Sequence, residues 1–446
     1  MHRLSLSAGA TAVAMAAGFT TALAGPDGHE PPAEPSDTAD DPQALPAAPS
    51  ERRQAPASAP RPLEIAAYYF PNYHRDPRND VWYGPGWTEW ELVKAARPRF
   101  SGHRQPIVPA WGYFDESDPA WATREIDLAA DHGITCFLYD WYWYEDGPYL
   151  QGALEQGFLK APNSHRLKFA LMWANHDWGN IQPARAGRPV PLLMPGAVSA
   201  AAFERLTDYV VARYLSRPNY LTLNGIPYFS IYDLATFVAG LGGLAEAQRA
   251  LERFRAKVRA AGVPGLHLNG IVWGRFAPPS GAGPAALPET VRTAIALGLS
   301  SISSYTWIHH QDPNWGGFPQ ASYVLAAQRY RQWLEGCGQL SIPYHPNVTM
   351  GWDSSPRTSA DDPYEPRGYP WLPVLEGNTP QAFRAALEQV KAALAPSLAP
   401  PGQPGGQAPQ RLITINAWNE WTEGSYLLPD TTNGTAYLEA IRSVFL

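Results

Sequence analysis

The 446-residue chain has only two cysteines. Cys136 lies inside an apolar run and Cys337 follows a helical pattern, so a disulfide framework is excluded and two separate buried thiols are expected. Lysine and arginine are scattered through a chain of net charge −7, which leaves no basic patch for nucleic acid or an anionic membrane. No Gly-x-Gly-x-x-Gly and no Walker-type loop follows any apolar run, so a nucleotide site lacks support. Beyond the first 25 residues, no charge-free stretch reaches membrane-spanning length. His309 and His310 are adjacent but have no acidic partners at ligand spacing. No metal and no cofactor is expected.

Aromatic residues, in contrast, are plentiful: 12% of the chain, with 17 Trp and 22 Tyr. That is more than a core needs and suits a cleft that stacks rings on sugars. The opening MHRLSLSAGATAVAMAAGFTTALAG combines a positive start, an Ala-rich apolar run and a small-x-small ending at Ala22-Leu23-Ala24. It predicts an export signal over 1–24, and hence a secreted or periplasmic protein with no membrane insertion after cleavage. Residues 25–62 are rich in Pro, Ala, Asp and Ser and predict a disordered linker. The folded domain is expected over 63–446, as a monomer.

From Leu63 onward, β-rich runs alternate with segments of helical period. Eight strands are predicted, at 63–70, 134–143, 168–175, 226–233, 266–273, 301–307, 346–353 and 411–418. Helical stretches fall at 117–132, 199–216, 245–261, 319–335, 380–396 and 434–445, and Pro/Gly-rich insertions at 277–288 and 398–409. Eight such units closing on themselves make an α/β (β/α)8 TIM barrel with long βα loops, a single catalytic domain.

Catalytic groups of such barrels sit where strands end. Here the ends carry Tyr69 and His74, Asp140, Trp173 with Asn175 and Asp177, Asp233, Tyr305, and Trp352 with Asp353. Any single Asp or Asn there is as readily a helix cap, and any single ring a packing residue. Eight such ends on one face predict a cleft of carboxylates and rings. Beyond the first strand, Trp87 and Trp90 flank Glu89 in a Gly-rich loop, either as a ring platform or as a staple holding that loop.

The last strand leads into INAWNEWTEG (415–424). Alternation puts Ile413, Ile415 and Ala417 on one face and Thr414, Asn416, Trp418 and Glu420 on the other, toward the barrel interior. Thr422 and Gly424 permit a turn that brings Glu423 beside Glu420. Two close carboxylates cannot both ionise freely, and the resulting split into an acid and a base is what glycosidic cleavage uses. The competing reading is a capped helix start with glutamates in its first turn.

The segments AYYFPNYH (67–74), NDVWYGPGWTEW (79–90), GHRQPIVP (102–109), LMWANHDW (171–178), MGWDSSPR (350–357) and INAWNEWTEGSYLLPD (415–430) resemble those of WbsX-type proteins. These are often labelled glycosyltransferases and are similar to glycoside hydrolase family 99, the endo-α-mannosidases. The resemblance spans nearly all of 63–446. It implies a retaining α-glycoside hydrolase acting internally on a manno- or rhamno-configured polysaccharide. Glu420 would be the base for the sugar 2-hydroxyl and Glu423 the general acid/base, within Asn419-Glu420-Trp421-Thr422-Glu423-Gly424. Tyr69 and His74 would match the cleaving subsite. Two features depart from the pattern: His176 and Asp177 stand where WbsX-type chains read Glu-Asn, and family 99 lacks the GWTEW segment that carries Glu89.

Two other readings remain. One is a glycosyltransferase of polysaccharide biosynthesis. The other is a non-catalytic carbohydrate-binding barrel, favoured if the two carboxylates turned apart or were neutralised by buried arginine.

Overall fold

The computed structural model describes residues 63–275, 287–310, 316–394 and 412–446. The predicted export signal and linker lie outside these residues, as do the two Pro/Gly-rich insertions except for 287–288.

Nine parallel segments form the barrel: β1 (Glu64–Tyr69), β2 (Cys136–Tyr144), β3 (Lys168–Trp173), β4 (Ile226–Ile231), β5 (His267–Ile271), β6 (Ser301–Ser303), β7 (Tyr344–His345), β8 (Asn347–Thr349) and β9 (Leu412–Asn416). They pair in the order β7-β6-β5-β4-β3-β2-β1-β9-β8. In register, Ala66 faces both Thr414 and Cys136, Asp140 faces Met172, and Ser230 faces Asn269. β7 and β8 are one stave interrupted at Pro346, which has no N–H to give to a ladder. The Pro346 carbonyl still accepts from the Thr414 amide at 2.9 Å, so the ring closes through this broken stave as a (β/α)8 barrel.

The barrel interior holds small polar side chains as well as rings. Ser230 and Ser303 donate to Asn269 Oδ1 at 2.8 and 2.9 Å, Asn269 donates to Ser301 at 2.9 Å, and Asn347 donates to Thr414 Oγ1 at 3.1 Å. Such pairing is what lets polar groups stay fully buried.

The helices are α1 (Pro77–Tyr83), α2 (Trp90–Ala95), α3 (Pro119–Asp131), α4 (Ala200–Val210), α5 (Leu234–Gly240), α6 (Leu244–Ala260), α7 (Glu289–Ala296), α8 (Tyr323–Cys337), α9 (Pro380–Leu394) and α10 (Ala436–Phe445). Asp118, Ser199, Asp233 and Ser322 cap α3, α4, α5 and α8 by accepting from amides two or three residues on, which satisfies donors the helix leaves orphaned. α6 buries Ala247, Ala250, Leu251, Phe254 and Val258 along one stripe, the helical period read as packing. No helix among the described residues is long and apolar enough to cross a membrane. Cys136 and Cys337 are both buried and unpaired.

One expectation about the last strand is corrected. β9 ends at Asn416, and Trp418 turns outward to the helix layer rather than inward. Its Nε1 donates to Glu125 of α3 at 2.9 Å, and its ring lies 4.8 Å from that of Phe137.

Candidate active site

After β9 the chain makes a tight turn over Trp421–Glu423, closed by Gly424 in the left-handed conformation at φ 62°. The turn sets Glu420 and Glu423 side by side instead of on opposite faces. Their neighbour is Arg357, whose Nη1 donates to Glu423 Oε1 at 2.5 Å and whose Nη2 donates to Glu420 Oε1 at 3.3 Å. Tyr369 donates to Glu423 Oε1 at 2.8 Å. Below the pair, the Tyr305 hydroxyl contacts Asp140 Oδ2 at 2.8 Å and also bonds Glu420 Oε2. A hydroxyl has one hydrogen to give, so one of these two carboxyls must carry a proton for both contacts to be hydrogen bonds.

The charge count agrees. Glu89, Asp140, Glu420 and Glu423 gather around the single cation Arg357 and are all buried. At an effective dielectric of about 20, each close pair of like charges costs roughly 4 kcal/mol, so full ionisation is opposed several times over. Burial, then repulsion from Glu423, pushes the Glu420 carboxyl well above the ordinary range, with Arg357 opposing and Asp140 adding to the rise. Burial also raises Glu423, against the pull of Arg357 and the Tyr369 hydrogen bond. Burial raises Asp140 well up too, with Tyr305 opposing and Glu423 adding. Burial and mutual repulsion raise the proton affinity of the cluster, so it holds protons that exposed carboxylates would have lost.

Glu420 and Glu423 are 3% and 5% exposed. Tyr369, 43% exposed, forms the protein surface directly over Glu423. Partly exposed Tyr232 and His176 lie 5.6 Å apart between ring centroids, and Tyr232 lies 5.7 Å from Tyr305. A chain of aromatic rings therefore runs from the acid pair to the mouth of the barrel.

The other residues singled out in the sequence divide sharply. Asp140 and Tyr305 join the pair. Asp353 supports it: its amide donates to the Glu423 carbonyl at 2.5 Å, and its carboxylate accepts from His103 at 2.8 Å and Gln105 at 2.7 Å. Asn419 clasps the Phe70 backbone with two bonds of 2.8 Å, tying the end of β1 to the turn. Trp352 is buried near Tyr369, with 6.5 Å between ring centroids.

Several make their contacts away from the acid pair. Tyr69 points to the helix layer and donates to Glu125 at 3.1 Å. His74 is buried, bonded to Glu116 at 2.9 Å and packed against Gly152. Trp90 is a packing residue, its Nε1 donating to the Phe114 carbonyl at 2.7 Å and its ring 4.2 Å from Tyr73. Trp173, 0% exposed, is wedged between Phe203 of α4 and Phe237 of α5. Asn175 pins the Asp233 backbone with two bonds of 2.7 Å, and Asp177 is exposed, accepting from the Gly196 amide. Glu89 is 0% exposed and bonded entirely within the protein, to Asn72, Thr422 and Arg357.

Sequence reasoning missed Arg357 and Tyr369. Arg357 closes the MGWDSSPR segment, and a general signal pointed to it: four acids brought into one buried place require a cation.

A sequence profile of the family described as "Glycosyltransferase WbsX" matches residues 65–441. The curated "Uncharacterized protein WxcX" of Xanthomonas campestris pv. campestris is 30% identical over 386 residues, 85% of this chain and 49% of that protein. This chain thus spans about half the length of the curated relatives it matches. A solved "Glycoside hydrolase-like protein" superposes with a TM-score of 0.53 at 13% identity, covering 88% of this chain and 97% of the other. The GH99 endo-α-mannosidase of Bacteroides thetaiotaomicron superposes with a TM-score of 0.50 at 14% identity, covering 85% and 95%. At these identities the likeness is one of fold.

Proposed function

Because this chain belongs to the WbsX family and has the fold of glycoside hydrolases, we propose that it is a retaining α-glycoside hydrolase cutting inside a manno- or rhamno-configured polysaccharide after export. The observation that carries this reading is the pair Glu420 and Glu423, set side by side by the turn beyond the last barrel strand, both bonded to Arg357 and both with raised proton affinity.

In the reaction, Glu420 takes the proton of the sugar 2-hydroxyl as O2 attacks C1, and Glu423 gives a proton to the leaving oxygen as the C1–O bond breaks. The product is a 1,2-anhydro sugar. Glu423 then takes a proton from water, which attacks C1 from the vacated side, and Glu420 returns its proton to O2. Two inversions give net retention. An α-manno or α-rhamno ring can set O2 and the leaving group trans-diaxial, which the first step needs. Turnover starts with the proton of the pair on Glu423 and Glu420 ionised. A 2-hydroxyl hydrogen-bonded to Glu420 favours its ionised form and so moves the proton toward Glu423.

The test is a screen of purified protein on α-mannans, rhamnans and bacterial polysaccharides, following the product anomer by NMR. Glu423→Gln is expected to bind oligosaccharide without cutting it. Full activity in that variant would discard the assignment.

Arg357 favours a second reading, a barrel that binds sugar without cleaving it, because it contacts both acids. One guanidinium against four carboxylates leaves the cluster un-neutralised, which supports catalysis over binding. The family description favours a transferase, and titration with nucleotide sugars separates that case: tight binding of any one supports transfer.

A further inference from the structure

We propose that Glu89 is a positioning residue for the acid pair, anchoring Arg357 as a fixed fork that holds Glu420 and Glu423 together. This rests on the hydrolase reading above and assigns a role to the GWTEW segment.

Glu89 cannot meet a sugar, being wholly buried. Its Oε2 accepts from Asn72 Nδ2 at 2.6 Å. Its Oε1 accepts from Thr422 Oγ1 at 2.5 Å and from Arg357 Nε at 2.9 Å. Asn72 is itself oriented, its Oδ1 accepting from Asn79 at 2.8 Å and its carbonyl from the Glu89 amide at 3.0 Å. Glu89 is therefore held on a rigid frame, and it grips two things at once. One is the guanidinium. The other is Thr422, which lies between the two acids in sequence.

A guanidinium is planar, so fixing its Nε edge fixes where both Nη groups point. Here Nη1 reaches Glu423, and Nη2 is shared between Glu89 Oε1 at 2.9 Å and Glu420 Oε1 at 3.3 Å, with the plane lying over Phe70 at 5.2 Å. Lysine at 357 would carry the charge as a point on a flexible stem, without the fixed fork. The same arrangement divides one positive charge among three carboxyl groups. Taking away the charge of Glu89 leaves more of it for the pair, whose proton affinity then falls; taking away Arg357 makes it rise. The remaining groups facing the pair among the described residues are Tyr73 beyond β1, Asp140 and Tyr142 from β2, Tyr232 beyond β4, Tyr305 beyond β6, and Tyr369. None of them is altered in these variants.

The test needs no substrate. In protein labelled with 13C at the glutamate side-chain carboxyl, the resonances of Glu420 and Glu423 are followed by NMR against pH. Glu89→Gln is expected to lower the higher apparent pKa of the pair by about one unit or more, Arg357→Gln, which removes the cation, to raise it, and Glu89→Asp to restore it toward wild type. Unchanged titration in folded Glu89→Gln overturns the proposal. Should that variant not fold, Arg357→Gln decides alone, and wild-type values there overturn it. The titration holds its meaning even if no polysaccharide is cut. Conversely, unchanged kcat and pH profile in Glu89→Gln, on any substrate the protein does cleave, would sink this proposal and leave the hydrolase reading intact.

Discussion

Gly424 and Asp353 occupy each other's space: a Cβ added to Gly424 would lie 2.7 Å from the Asp353 Cβ and 2.9 Å from its amide nitrogen. Residue 424 also has φ 62°, a conformation that side chains other than Asn or Asp adopt at a cost. Gly424→Ala is therefore expected to destabilise the protein by about 2 kcal/mol or more in urea unfolding. It is also expected to abolish cleavage, because relief of the clash moves Asp353, whose amide holds Glu423. A stable, active Gly424→Ala protein would contradict the tight turn.

Tyr305 is the only group bonded to both Asp140 and Glu420 among the described residues. Tyr305→Phe removes the hydrogen bond that lowers the Glu420 proton affinity. We expect kcat to fall on the order of 100-fold, with the rising limb of the pH profile displaced to higher pH. A profile that drops in height without moving would show that Tyr305 only packs.

Stability should fall with pH because of Glu125, buried beneath α3 and pushed up to about 8 by its burial. A carboxyl held neutral by the fold favours the folded state fully below its unfolded pKa. That contribution declines from about pH 4.5 to about pH 8 and is lost above it. The loss is on the order of 4 kcal/mol. Glu125→Gln keeps an oxygen for Trp418 and a donor for Tyr69, so its urea midpoint should decline less steeply than wild type over this interval, the raised acids of the cluster supplying the remaining slope, and be higher than wild type at pH 8.5. An equally steep decline in the variant would clear Glu125 of the effect.

Trp173→Ala tests a placement rather than a mechanism. In the core between α4 and α5, its loss is expected to cost about 3–5 kcal/mol of stability while leaving the affinity of the folded protein for oligosaccharide unchanged. Weakened binding with normal stability would return Trp173 to the cleft.

The barrel was legible because its staves and helices differ in period, and the period survives in the sequence: every predicted strand overlaps an observed one, although Tyr344–His345 lies just before the seventh, and the long helices agree within a few residues. The facing of residues at strand ends was less legible. Tyr68 and Tyr69 are adjacent and chemically identical, yet Tyr68 lies inside, 4.7 Å from the Tyr305 ring, while Tyr69 faces Glu125. Trp173 fails by the same one-residue phase: Asp140 pairs with Met172, so Trp173 takes the outer face. The acid pair could be read because both members sit in one short segment. Arg357 could not, because its partnership with Glu89 spans 268 residues and depends on closure of the ring.

That closure has a cost of its own. The stave broken at Pro346 gives its neighbours only two- and three-residue ladders, and one of those neighbours is β9. The loosest joint of the hoop thus borders the segment that ends in the acids, so amide hydrogens near Tyr344–Thr349 should exchange earliest among the staves. On warming, catalysis is expected to fade by local fraying there before the molecule as a whole melts.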